Sequence, residues 1–404
     1  MLAAVRCLFI GLSSLFAISL VAADEVTVQE LVDASSDFSV RRQAGIDLYR
    51  AGKVEAAEKV FREILKGDPH LIPVRYDLAA LLVEQGRLEE GLAHYQYITF
   101  KLLPENATAR HRYAIALERA GQTTAAISQL EKSLEFDEEY KEARRDLIKL
   151  LMRGKKLMQA SIVSDTGVRL HSDDASFHND HGVLLMQLGK APAAVESFRK
   201  AVQLDDTHPD AHYNMGLALN DQWKLEEAAA QLRKAIELKP EYTDAHFNLG
   251  KVLARQGNAA EARQSLKKVI ELKQGYFLAF HELGMVAQRA GDHRTAVKNF
   301  TEALRHNPGY LKSQYQLGLG MMKIGRPQLA ISQFEGVLRG SPSHADARYQ
   351  MGLALAKIGK GEKALVHFRE ALLLRPGWKE VEVEISNLQE SGSESTRNTA
   401  APKN

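Results

Sequence analysis

Six glycines stand at one fixed interval: Gly182, Gly216, Gly250, Gly284, Gly318 and Gly352 follow one another every 34 residues. The strings around two of them, HYNMGLAL at 212–219 and HFNLGKVL at 246–253, are near copies. A glycine inside a helical pattern costs about 1 kcal/mol against alanine, so its return at a constant step marks a structural unit. Such a repeat constrains the fold more than any single motif. Each unit is a small supersecondary element that buries its apolar face only by stacking on its neighbours.

Other positions keep the same step. An alanine recurs at Ala194, Ala228, Ala262, Ala296, Ala330 and Ala364, and a large apolar residue at Phe198, Leu232, Leu266, Phe300, Phe334 and Phe368. A turn glycine returns at Gly189, Gly257, Gly291, Gly325 and Gly359, with Trp223 the one replacement, and prolines close units at Pro240, Pro308, Pro342 and Pro376. Upstream, Gly45, Gly52, Ala57, Phe61 and Pro69 fall in the same relative places, as do Ala114, Gly121, Ala126 and Leu130. Ten units result: 38–71, 72–106 (one residue long), 107–140, 141–174, 175–208, 209–242, 243–276, 277–310, 311–344 and 345–378. Apolar residues at steps of three and four, interrupted by the turn glycine, make each unit two helices. The glycine of the first helix and the alanine of the second, Gly216 and Ala228 for instance, are then expected at a close helix crossing.

This pattern of small residues, turn glycine, second-helix aromatic and closing proline resembles the tetratricopeptide repeat family over 38–378. The resemblance implies an all-α, right-handed α-solenoid of about ten helix pairs, with a concave groove lined by the first helices. Two units depart from it. In 141–174, Ile148, Lys155 and Ser164 replace both glycines and the large apolar residue, and in 72–106 Gly91 replaces the alanine. Altered curvature or weaker stacking is expected there. Residues 379–390 read as a capping helix, and 391–404 as a disordered tail with no apolar content to bury.

Met1 opens a segment with Arg6, an apolar stretch to Val21 and small residues before Asp24, the layout of a secretory signal peptide over 1–23. The alternative is an uncleaved membrane anchor over 7–23, which is short for a bilayer span. Residues 24–37 form an acidic lead-in. The only cysteine, Cys7, lies inside the leader, so the mature chain would carry no thiol into an oxidising compartment. A periplasmic or secreted location is expected. Proteins of the family in a bacterial periplasm scaffold envelope assembly, polysaccharide export, pilus or cytochrome biogenesis. A net charge of +2 over 404 residues gives no field that would single out nucleic acid as a partner.

Catalytic chemistry finds little support. There is no HExxH, no phosphate-binding GxxxxGK[ST] and no paired-cysteine site. His178, His212 and His246 recur at the repeat step, but side chains one unit apart are a helix-packing distance away from one another, so packing is expected and not a metal ladder. No enzyme, metal or cofactor is expected. What remains is surface for a protein or peptide partner. Tyr213, Phe247, Tyr315 and Tyr349 share one slot flanking the packing face, and Asn214 and Asn248 occupy the next. Aromatics are favoured binding anchors and amides hold an extended backbone. The same tyrosines could equally cover neighbouring helices. A basic stretch, Arg112, Arg119, Arg145, Lys149 and Arg153, is a possible anion site for an acidic peptide or an anionic polysaccharide, diluted by Glu118, Glu142 and Asp146. A non-catalytic accessory role in an envelope enzyme complex is a third reading.

Overall fold

The computed structural model describes residues 37–399. The expected leader at 1–23 and the lead-in at 24–37, Asp37 apart, lie outside the described residues, as do 400–404. Among the described residues there are 21 α-helices, one π-helical turn and no strand.

The chain divides into two compact units, 1–188 and 189–404. The first contains four helix pairs: α1 (Phe38–Arg50) with α2 (Val54–Gly67), α3 (Ile72–Glu84) with α4 (Leu88–Tyr97), α5 (Ala107–Arg119) with α6 (Thr123–Phe136), and α7 (Lys141–Arg153) with α8 (Leu157–Leu170). It ends on α9 (Ala175–Gln187). The second begins with α10 (Ala191–Leu204). Five pairs follow: α11 (Pro209–Asp221) and α12 (Leu225–Leu238), α13 (Thr243–Arg255) and α14 (Ala259–Leu272), α15 (Phe277–Arg289) and α16 (His293–His306), α17 (Leu311–Lys323) and α18 (Pro327–Gly340), α19 (Ala345–Lys357) and α20 (Gly361–Leu374). Consecutive helices pack on one another as a solenoid within each unit.

The turn glycine acts as a helix stop. At the end of α13 the Asn258 amide donates to the Leu253 carbonyl at 2.9 Å, with Gly257 between them at φ 82°. That is the six-residue closure of a Schellman cap, whose left-handed residue carries no penalty when it is glycine. Only two non-glycine residues in the described chain hold a positive φ, Lys155 at 55° and Trp223 at 61°. Both sit in this same turn slot.

The helical glycine has a more specific role than a Gly–Ala crossing. A Cβ on Gly250 would lie 2.7 Å from Leu266 Cγ, and one on Gly284 2.5 Å from Phe300 Cε1. Ala262 contributes only its carbonyl oxygen, 3.3 Å away. The missing side chain therefore makes room for the large residue of the second helix, which is fully buried at Leu266, Phe300, Phe334 and Phe368.

The two aberrant units keep their packing by moving bulk. In α7 and α8 the Gly-against-Phe arrangement becomes Ile148 and Ser164, large on the first helix and small on the second, both buried. In α3 and α4 the small residues change places: Ala79 stands in the glycine slot, and Gly91 lies so close to Val83 that a Cβ would meet Cγ2 at 2.6 Å. The extra residue of 72–106 is absorbed where α4 runs into a π-helical turn, Ile98–Leu102. A single inserted residue widens a helix in this way without breaking it, and Thr99 inside the turn is buried and donates from Oγ1 to the Ala109 carbonyl at 3.3 Å.

The last helix, α21, runs Lys379–Thr399. Val381 is buried against the α19–α20 pair, and Ile385 and Leu388 pack on the same core. The helix therefore covers that end as expected, but it passes the expected boundary at 390. The helix runs on through 391–399, within the segment 391–404 read from sequence as a disordered tail.

Candidate functional site

The fourth residue of most units explains the recurring histidines. His178, His212 and His246 each place Nε2 on the carbonyl six residues earlier, Ser172, Asp206 and Pro240, at 3.0, 3.1 and 3.0 Å. Arg110, Arg144 and Arg348 fill the same slot and donate to Pro104, Glu138 and Pro342 at 2.9, 2.7 and 3.0 Å. A carbonyl only accepts, so these histidines carry their proton on Nε2. They tie down the turn between units. Among the described residues no group of three or more His, Cys, Asp or Glu side chains is placed to hold a metal.

The fifth residue is the aromatic slot. Tyr213, Phe247, Tyr315 and Tyr349 each pack on the ring that closes their own unit: Tyr242, Tyr276, His344 and Trp378, at centroid separations of 4.9, 5.4, 5.1 and 5.0 Å. His111 on Tyr140 and His281 on Tyr310 follow suit at 5.1 and 5.2 Å. These rings therefore pin a helix to its following turn. Phe247, expected to project into a groove, is buried at 9% exposure, while Tyr213, Tyr315 and Tyr349 are half-buried. Burial, with Asp244 nearby, pushes the Tyr213 phenol up to about 12.

Fifth and sixth residues of successive units also bond to each other. Asn248 Nδ2 donates to Tyr213 Oη at 3.1 Å and to the Asp244 carbonyl at 2.9 Å. Arg42 pairs with Asp77, His111 with Asp146 and Arg145 with Asp180, at 2.5, 2.8 and 2.7 Å. Burial alone would raise the Asp146 carboxyl, but the His111 hydrogen bond, Lys149 and Arg145 hold it below its ordinary value. These bonds fix the register between successive first helices. Four other sixth residues, Asn214, Glu282, Gln316 and Gln350, line the same face half-buried, while Gln43 and Arg112 are exposed. Burial pushes the Glu282 carboxyl up, against the pull of Lys251, Arg289, Arg255 and Lys312.

The basic stretch of the first unit is largely engaged. Arg145 is bound to Asp180, Arg153 to Glu118, and Lys149 lies 3.8 Å from Asp146. Arg112 lies over the Tyr76 ring at 4.6 Å, and Arg119 closes α5 on the same side as Arg153 closes α7. A second basic row, which sequence reasoning passed over, belongs to the other unit. The thirteenth residues of four successive units are Arg255, Arg289, Lys323 and Lys357, all exposed and none in an ion pair among the described residues. Counting residue types down each column of the repeat would have found it.

Profiles described as tetratricopeptide repeat or TPR repeat match residues 48–99, 76–141, 182–222, 217–257, 243–276 and 315–379. The chain belongs to the tetratricopeptide repeat family. These matches leave out 277–314 and also 142–181, which holds most of 141–174, the tetratricopeptide unit with exchanged core residues. Among solved structures, YrrB, described as a TPR protein with an unusual peptide-binding site, is 26% identical, with 46% of this chain and 96% of YrrB covered at a TM-score of 0.41. PilF of Pseudomonas aeruginosa is 20% identical, covering 54% and 97% at a TM-score of 0.46. The Cut9–Hcn1 hetero-tetramer of APC/C is 13% identical, covering 92% and 94% at 0.44. No curated protein sequence matches the chain.

Proposed function

We propose that this tetratricopeptide repeat protein is an exported, non-catalytic scaffold that holds an extended segment of a partner polypeptide along its first-helix face. The observation that carries this reading is the ladder of fifth and sixth residues. Ring pairs such as Tyr213–Tyr242 and bonds such as Asn248–Tyr213 hold the face at one-unit spacing before any partner arrives. A preorganised surface loses little conformational entropy on binding, and a periodic one suits a periodic ligand, which an extended backbone is. Export is inferred from the layout of residues 1–23, with the mature chain beginning near Asp24.

A photo-crosslinking side chain at Gln316, on the first-helix face, should capture a partner in the native host. The same group at Lys268, on a second helix, should not. Equal capture at both positions would remove the first-helix face from the reading. Sequencing of the mature N-terminus tests export, and a chain retaining residues 1–23 in membranes would favour the anchor.

A further inference from the structure

We propose that the edge of the face running from Trp223 to Lys357 binds an extended acidic segment, its carboxylates meeting Arg255, Arg289, Lys323 and Lys357 and an apolar side chain lying on Trp223. This rests on the scaffold reading and adds the chemistry of the partner and the edge that it occupies.

Trp223 is the first ground. It stands in a turn slot that glycine fills in most units, holds φ at 61°, and leaves 72% of its surface exposed. A bulky residue in the left-handed region is strained, and so exposed a ring gains little packing in return. Backbone strain without a packing gain points to a role at the surface. Its neighbour is the Arg255 guanidinium, 5.4 Å from the ring centroid, which also donates to Asn220 Oδ1 at 2.7 Å.

The second ground is charge. Arg289 donates to the Ala254 carbonyl at 3.3 Å, so the two arginines bond neutral acceptors and keep their charge. The half-buried Glu282 is an acidic group within their electrostatic reach. Successive first helices lie about 8–10 Å apart, and an extended chain advances about 3.3 Å per residue. Carboxylates at every third residue therefore meet successive cations, and a segment of about ten residues spans all four.

The test uses the full chain and fluorescently labelled peptides of about twelve residues with four glutamates at every third position and phenylalanine at one end or the other. A control peptide of the same composition has its glutamates contiguous. The spaced peptide in one of its two polarities should bind, and should weaken as salt rises from about 50 to 500 mM. Trp223→Gly should weaken it by about tenfold or more, a hot-spot effect, while leaving the melting temperature unchanged or raised. Arg289→Glu with Lys323→Glu should do the same, and Lys268→Glu should have no effect. The inference is overturned if neither spaced peptide binds, if Trp223→Gly leaves affinity intact or lowers the melting temperature, or if the contiguous peptide binds equally well. A partner crosslinked at Gln316 that the acidic peptide does not displace would leave the scaffold reading standing and the acidic-segment inference refuted.

Discussion

At the scale of single residues, the core works by complementary bulk. Gly250 has no room for a side chain because Leu266 already occupies the space, 2.7 Å from where a Cβ would sit. Gly250→Leu should therefore lower stability by about 1–3 kcal/mol or more through overpacking. The α7–α8 pair suggests its remedy, since Ile148 and Ser164 carry the bulk the other way round. Gly250→Ile combined with Leu266→Ser should lose less in urea denaturation than the sum of the two single changes, a coupling of roughly 0.5–3 kcal/mol. Additive losses would mean that the two sites do not share one space. Two histidines, His94 half-buried and His281 buried, give the fold a pH dependence. Burial, with Arg75 adjacent to His94 and Lys312 near His281, lowers both imidazoles from 6.5 to about 4. The unfolded chain then takes up protons first as pH falls, so their contribution is complete above 6.5 and is lost on the way down to about 4. His281→Phe should make the fall in urea midpoint between pH 7 and 4 shallower than in the native chain.

At the scale of the helix pair, one side chain secures most of the junctions. The fourth-residue donor spans six residues to a turn carbonyl, and histidine and arginine do this interchangeably at His246 and Arg348. His246→Arg should therefore keep the melting temperature, whereas His246→Leu should cost about 1 kcal/mol, the net value of one hydrogen bond. Added zinc should shift neither, because the histidine nitrogens face backbone carbonyls and not one another. A zinc-dependent rise in melting temperature would restore the metal ladder. The same junctions explain how the 72–106 unit tolerates its extra residue: the π-helical turn at Ile98–Leu102 takes up the insertion inside one helix, so the next pair begins in register at Ala107.

At the scale of the whole molecule, each pair depends on its neighbours alone, and the end pair depends on α21. Val381 is fully buried there, with Trp378, Ile385 and Leu388 around the core that includes Phe368. Removing residues 379–404 should speed amide hydrogen exchange in 345–374, where that cover is lost, and leave 209–255 unchanged, because stability in a stacked array is set by nearest neighbours. Uniform acceleration across 189–378 would instead show one cooperative block.

The repeat and the buried alanine and aromatic columns were legible in the sequence. They arise from local backbone preferences and apolar periodicity, which a single chain displays at a fixed step. The partners of the surface columns were not. Tyr213 and Phe247 looked like anchors because their slot flanks the packing face, yet each meets the ring that closes its own unit, residues later in the chain. Arg145 and Arg153, read as part of a possible anion site, have Asp180 and Glu118, each one unit away, beside them. Whether a polar or aromatic side chain is a bond within the fold or a group left for a partner depends on which residues of the adjoining helix face it. Periodicity fixes which face a side chain is on. Only the packed helices decide what stands opposite.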